Sequence, residues 1–380
     1  MRILLLGEYS RLHNSLKEGL TVLGHETLIV ASGDGFKNYP LDYSIKPKFC
    51  ENSIINILRQ LIFRVFKFDI ALWEKALRFY FLLPKLKNFD IVQLINECPI
   101  QTTKSLELYF LKKIISQNKK TFLLSCGADH LNVKYSFQNQ HKKSILQPYF
   151  KNESLKEEYK YVLNYTSSKH VLIHNYIIQN CQGIIASDFD YVPPLFNHPK
   201  FLGLIPNPIN LSNLKYTIPS IDSKVVFFLG INRWNYHQKG IIYFEKALKL
   251  IQEKYSDKVE IVIVENLPYN KYIDSFNNAH IVLDQVFAHD QGYNALEAMA
   301  KGKVVFTGAE KEFLEHYSLE QDQVAINALP DVDYLVQKMS FLIENPNEII
   351  AIGKRARSFI EEEHNYVKIA EEYLNLWLTN

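Results

Sequence analysis

Between residues 283 and 308 the chain runs from a short apolar strand into a polar turn holding Gly292. A helical stretch follows from about Asn294 to Ala300, closed by Gly302, and then a second apolar strand at 304–306. Strand, turn, helix and strand in that order are half of a parallel αβ layer. The N–H groups that open such a helix, with the positive end of its dipole, form an anion site, and a glycine there lets a phosphate approach the backbone. Gly292, Tyr293 and Asn294 occupy that opening, and Glu297 stands about one turn further in. A carboxylate at that depth can accept hydrogen bonds from sugar hydroxyls, and a phosphate beside a diol describes a nucleotide.

The rest of the chain has the same rhythm. Apolar runs bounded by turn residues at 2–7, 27–32, 91–96, 121–126 and 183–187 alternate with helical patterns such as 14–23 and 105–117. The scheme repeats with strands at 225–230, 260–265, 280–286, 304–307 and 324–327 and helices near 240–255, 269–278 and 293–301. Alternation of this kind implies a parallel sheet with helices on both faces. At 380 residues the chain suits two such domains better than one core. Ile205-Pro206-Asn207-Pro208-Ile209 is the expected hinge, because its prolines exclude helix and interior strand.

A net charge of +2 argues against a nucleic-acid binder, which would need a dominant basic surface. Cys50, Cys98, Cys126 and Cys181 are far apart and form no C-x-x-C pair, so buried thiols in a reducing compartment are expected rather than disulfides or a zinc site. The opening apolar run is too short for a signal peptide and no run reaches the length of a membrane span, which points to a cytoplasmic protein.

Three further loops carry candidate chemistry. Gly230-Ile-Asn-Arg233-Trp-Asn-Tyr-His-Gln-Lys239-Gly240 leaves the first strand of the second domain, and Arg233 and Lys239 can converge from it on one anion. Two ordinary surface cations are the alternative. Gly7-Glu-Tyr9-Ser10-Arg-Leu-His13 leaves the first strand of the chain, at the edge where ligands bind in this architecture. Ser125-Cys-Gly-Ala-Asp129-His130 ends another strand, and Asp129 either faces a cleft or caps the helix that follows. The isolated His170, His174 and His364 have no metal-ligand spacing and read as structural.

Taken with its neighbours, the 283–308 segment resembles the nucleotide-sugar site of glycosyltransferase family 4, retaining enzymes of the two-domain GT-B fold. The family pattern is a glutamate, seven residues, a second glutamate, then Ala-Met-Ala and a small turn. Leu296-Glu297-Ala298-Met299-Ala300 is similar to its second half, which puts Glu297 at the place of the ribose-holding residue. Eight positions earlier stands His289, with Asp290 beside it, where the family carries a glutamate facing the donor sugar. Either Asp290 supplies that carboxylate after a one-residue slip, or His289 does a related job. The resemblance likewise makes Arg233 and Lys239 the pair on the donor diphosphate. It turns the loop of Gly7, Tyr9, Ser10 and His13 towards an interdomain cleft, and it puts Asp129 at a family aspartate, with Cys126 in place of a histidine. It also places base recognition at 265–268.

What this implies is an α/β GT-B chain of two doubly wound Rossmann-like domains. Residues 1–207 would form the acceptor side, 208–364 the nucleotide-sugar side, with a last helix at 365–380 packing back on the first domain. The expected activity is transfer of a sugar, with retention, from a nucleotide-sugar to a glycan or lipid-linked acceptor, in cell-surface polysaccharide or glycoconjugate synthesis. No cofactor is implied beyond the donor, and no metal, since two cations and a helix terminus face the diphosphate and no Asp-x-Asp pair is expected to serve it. A sugar-nucleotide epimerase, a phosphorylase or a non-catalytic nucleotide-sugar-binding protein on the same fold are the alternatives.

Residues 53–88 are the least family-like. Seven Lys or Arg against two Asp or Glu give this stretch a charge of +5, with apolar residues at helical spacing between them. Core-facing helices with basic outer faces are the favoured reading. Peripheral contact with an anionic membrane, at its inner face, is the other.

Overall fold

The computed structural model describes residues 1–33, 39–66, 68–217, 220–221, 223–265 and 269–380. Seven parallel strands form the first sheet: β1 Arg2–Leu6, β2 Glu26–Ala31, β3 Tyr43–Ser44, β4 Ile91–Leu94, β5 Lys120–Ser125, β6 Gly183–Ala186 and β7 Phe201–Leu204, in the order β3-β2-β1-β4-β5-β6-β7. Ile3, Leu4, Leu5 and Leu6 are all at 0% exposure, and because successive strand residues point to opposite faces, both faces must be covered. Ile3 and Leu5 share a core with the helices Leu12–Val22 and Tyr366–Thr379. Leu4 and Leu6 pack instead with the helices Ile70–Leu82, Lys104–Ser116 and Ser168–Asn180.

The second sheet has five parallel strands, β8 Val225–Ile231, β9 Val259–Glu265, β10 Ile281–Leu283, β11 Val304–Thr307 and β12 Ile326–Asn327, in the order β12-β11-β10-β8-β9. Phe227 and Leu229 face the helices Ile241–Lys254 and Val332–Glu344, while Phe228 faces Tyr293–Ala300 and Pro346–Glu363. In each sheet the strand order reverses at one place, between β1 and β4 and between β8 and β10. The crevice beyond the carboxyl ends of such strands is where ligands enter doubly wound sheets.

The segment with Pro206 and Pro208 joins the sheets and is met by the returning chain. Ile209 N–H donates to His364 O at 2.7 Å, and His364 Nδ1 donates to Asn207 O at 2.8 Å. Burial lowers the His364 imidazole to about 4, so it stays neutral and structural. The helix Tyr366–Thr379 then lies on the first domain, where Trp377 is fully buried and its Nε1 donates to Gln93 Oε1 at 3.1 Å.

Ten strands fall where the apolar runs place them. The edge strands β3 and β7 do not show in the sequence: β3 has two residues, and β7 shifts register against β6. The run at 280–286 is strand only over Ile281–Leu283, and the remainder belongs to the loop that builds the site. All four cysteines are free, and three of them are buried.

Candidate functional site

The turn after β1 is held from beneath. His13 Nδ1 donates to Gly7 O at 2.6 Å, and full burial lowers this imidazole to about 3, leaving it neutral. Arg11, at the head of the helix Leu12–Val22, offers no side-chain cap, and the Glu8 carboxylate instead accepts from Asn14 N at 2.8 Å and Asn14 Nδ2 at 2.6 Å. Ser10 and Arg11 both take left-handed backbone angles, φ 52° and 79°, costly for side-chain-bearing residues at roughly 1–2 kcal/mol each. The result turns Tyr9 and Ser10 into the interdomain cavity while Gly7 and His13 stay beneath it.

Asp129 settles on the capping role. One oxygen accepts from Asn132 N at 2.7 Å and the other from Ser125 Oγ, and burial, with the Glu97 charge behind it, raises this acid to about 6. It does not line the cavity; Cys126 does, and burial pushes its thiol up to about 12, so it is no thiolate at neutral pH.

Glu97, just beyond β4, organises this side. It accepts from His170 Nε2 at 2.5 Å, His174 Nδ1 at 2.6 Å and His130 N at 3.0 Å. Burial alone would raise its pKa, yet the two imidazoles hold it down to about 2. Because the folded pKa lies below the unfolded one, ionised Glu97 stabilises the fold above about pH 4.5, and that contribution is lost as pH falls towards 2. Glu97→Gln sets an amide N–H₂ against a ring N–H, so a loss of about 1–3 kcal/mol at pH 7 is expected. The loss should be smaller at pH 3; urea unfolding at both pH values measures it, and an equal loss at the two would take the charge out of the explanation.

On the second domain, Arg233 and Lys239 do not converge. Arg233 is held by Glu265, Nε to Oε1 at 2.8 Å and the second guanidinium nitrogen to Oε2 at 2.6 Å, in an exposed position outside the cavity. Lys239 Nζ donates to the buried Asp284 Oδ1 at 2.8 Å and lines the cavity. Both cations follow β8, but Arg233 takes the carboxylate that ends β9 and Lys239 the one just after β10. Gly240 fixes the lysine's place: at φ 68° it packs where a Cβ would come within 2.2 Å of Val286 Cγ2, and Val286 N–H donates to Lys239 O at 2.9 Å.

Gly292 opens the helix Tyr293–Ala300 without a side-chain cap, so its first N–H groups point out unclaimed by any capping side chain. Gly292 and Tyr293 line the cavity; Asn294, which accepts from Tyr272 Oη at 3.0 Å, and the half-buried Glu297 stand behind that lining. Of the 265–268 stretch expected to meet the base, 266–268 lie outside the described residues.

Residues 288–291 close the cavity. Their turn presses on Gly308, where a Cβ would sit 2.5 Å from Ala288 O and 2.6 Å from Asp290 N and O, and Glu310 N–H donates to His289 O at 3.0 Å. Both His289 and Asp290 reach the first domain. His289 Nε2 donates to Lys143 O at 3.1 Å, which leaves Nδ1 as an acceptor, and its backbone N–H donates to Asp190 Oδ1 at 3.1 Å. Asp290 Oδ2 accepts from Phe189 N at 3.0 Å.

Asp190 and Asp188 also line the cavity, and with Asp290 they bring carboxylate oxygens within 4.8 Å of one another. Burial and mutual repulsion raise Asp188 and Asp290 well above the usual range, so the group holds protons that separate carboxylates would release. Asp188-Phe189-Asp190 is an Asp-x-Asp pair whose two acids line the cavity, which the sequence reading did not single out. Its signal was present: two acids directly after a strand, at the ligand-binding edge of the sheet.

The cavity between the domains measures about 360 Å³. Ser144 Oγ, Asn207 Oδ1, Asn235 Oδ1, His289 Nδ1 and Asp290 Oδ1, all from residues lining it, are buried with no hydrogen-bond partner among the described residues. Such atoms cost stability until something satisfies them. A larger open groove of about 910 Å³ near Gln323 and Arg355 contains none of the loops described above.

Residues 231–375 match the model of a glycosyl transferase-like family. Among proteins of curated function, none matches the chain in sequence. Solved structures share its whole architecture. Sucrose-phosphate synthase from Thermosynechococcus elongatus aligns with a TM-score of 0.61 at 14% identity, over 100% of this chain and 98% of that one. Anabaena HepE, in complex with UDP and glucose, aligns at 0.60 and 12%, and UDP-GlcNAc 2-epimerase from Neisseria meningitidis, bound to UDP-GlcNAc, at 0.53 and 14%, both over 100% of each chain. Two doubly wound domains facing one cleft are the GT-B fold.

Proposed function

We propose that the chain is a retaining, hexosyltransferase-type glycosyltransferase that moves a sugar from a nucleotide-sugar to a glycan or lipid-linked acceptor in cell-surface polysaccharide or glycoconjugate synthesis. The observation that carries this reading is the composition of the interdomain cavity. One wall offers Lys239 and an uncapped helix opening for a diphosphate, and the polar atoms without partners come from both domains, as a polyhydroxylated ligand between them would require. The match of residues 231–375 supports transfer over other chemistries of the fold.

In this scheme the donor diphosphate exchanges with the carboxylates now holding Lys239 and Arg233, and Gly292, Tyr293 and Asn294 bring their N–H groups to it. Both cations oppose the charge that grows on the leaving diphosphate as the glycosidic bond breaks. Glu297 takes the ribose, Asp290 or His289 the donor sugar, and Tyr9 and Ser10 face the acceptor. No side chain is assigned as a covalent nucleophile, and neither metal nor cofactor is invoked. The epimerase reading shares the diphosphate site, and product analysis separates the two: a new glycoside with an acceptor present, against an isomerised donor without one.

Glu297→Gln tests the nucleotide half. Affinity for a nucleoside diphosphate should fall by about 1.5–3 kcal/mol, while affinity for inorganic pyrophosphate, which has no ribose, stays unchanged. Calorimetry with both ligands is the measurement, and equal losses would confine Glu297 to helix packing.

A further inference from the structure

The helix Ser53–Phe66 buries no residue at all. Ile55, Asn56, Arg59 and Ile62 are half-buried, while Ile54, Ile57, Leu58, Leu61 and Val65 are 52–78% exposed. Those five recur at i, i+3, i+4, i+7 and i+11, which is one stripe along a helix. The next helix, Ile70–Leu82, does the same with Trp73, Leu77, Tyr80 and Phe81, each more than half exposed. Arg59 ties the pair together through both oxygens of Asp69, at 2.6 and 2.7 Å. Core-facing helices with basic outer faces, the reading the sequence favours, hold only for Ile70–Leu82, which buries Ala71, Ala76 and Phe79 yet keeps a second apolar row outside, and not for Ser53–Phe66. An apolar row faces outward on both helices, and so large an exposed apolar surface marks an interaction site.

The charges define the partner. Asp69 and Glu74 are the only acids of residues 53–88, and Arg59 and Arg78 engage them. Arg64, Lys85 and Lys87 are exposed and form no ion pair among the described residues. An apolar stripe with surplus cations beside it matches the boundary of an anionic bilayer, where acyl chains meet phosphates. No described helix is long and apolar enough to cross a membrane, so the contact would be superficial. The patch is also wired to the cleft: Lys75 Nζ donates to Gln101 Oε1 at 3.2 Å, and Gln101 Nε2 donates to the Tyr9 hydroxyl at 3.3 Å, beside the cavity.

We propose that the outer face of these two helices docks on a membrane surface containing anionic lipid. With the transferase reading, on which this consequence alone rests, docking brings the Tyr9 side of the cleft to the layer where a lipid-linked acceptor resides.

Sedimentation of the full chain with phosphatidylcholine vesicles, and with vesicles rich in phosphatidylglycerol, tests the docking without any donor. Binding to the anionic vesicles, weakened by salt, is expected. Leu58→Asp with Leu61→Asp should reduce it by on the order of a hundredfold. Arg64→Glu and Lys87→Glu should each reduce it by about fivefold or more, on anionic vesicles only. These side chains are exposed, so melting temperature and nucleoside diphosphate binding should not change. Absence of binding by the wild type, or equal binding by the double variant, overturns the proposal. So does a dimer that the double variant converts to monomer, since the face would then belong to a second copy. Turnover with a soluble acceptor reports separately on the transferase reading.

Discussion

Lys239→Ala is expected to lower donor turnover by about 10²–10³ while the protein remains folded, because one fixed charge on a developing anion typically contributes that much. Lys239 combines what the proposed role demands: it lines the interdomain cavity, its backbone is pinned beside Val286, and its ammonium faces the loop after β10. Folding should change less than activity, although Asp284 would lose its ion pair and stay buried. Lys239→Arg should not restore the rate, since the fork of a guanidinium does not fit a position built for a point charge. Arg233→Ala should act in the same direction but more weakly, because Arg233 is exposed and must first release Glu265. Steady-state kinetics at matched folded fraction decide the matter, and a wild-type rate in Lys239→Ala would remove the diphosphate assignment.

How much of this was legible in the sequence follows from the range of each signal. Buried parallel strands announce themselves locally, since a strand covered on both faces is an unbroken apolar run, and β1, β8 and β11 are read directly. The edge strands β3 and β7 are too short or too irregular to stand out. The same divide runs through the site. The helix opening at Gly292 and the lysine loop are local motifs. The separate ion pairs of Arg233 and Lys239 depend on which strand end lies nearest each cation, which no spacing reveals. Glu97, Asp188 and Asp190 all follow strands at the ligand-binding edge, so the rule that picked out Tyr9 and Ser10 applied equally to them. What the sequence could not supply was their meeting: Asp188 and Asp190 become a group with Asp290 only when the two domains face each other. For the helix Ser53–Phe66 the periodicity fits a core-facing or an outward-facing stripe alike, and only burial separates the two.

The position where the family motif is altered gives the other large effect. Asp290→Asn should cut sugar transfer by about 10²–10³ with nucleoside diphosphate binding intact, as expected for a group that meets the donor sugar and not the nucleotide. His289→Ala should cost only about fivefold, the worth of one ordinary hydrogen bond. The difference follows from the atoms on offer. His289 spends Nε2 on Lys143 O and has a single acceptor left, whereas Asp290 keeps Oδ1 without a partner and shares Oδ2 with one backbone N–H. Stability supplies an independent check of the opposite sign. Burial beside Asp188 raises the folded-state pKa of Asp290, so its ionisation disfavours the fold progressively as pH rises above the unfolded carboxylate value. Asp290→Asn removes that penalty, and the variant should be at least as stable as wild type at pH 8, with the advantage shrinking towards pH 4. Lower transfer in a protein of equal or greater stability cannot come from misfolding. If instead His289→Ala carries the larger loss, the imidazole holds the sugar; if neither changes turnover, the turn at 288–291 does not meet the donor and the sugar-binding half of the transferase reading falls.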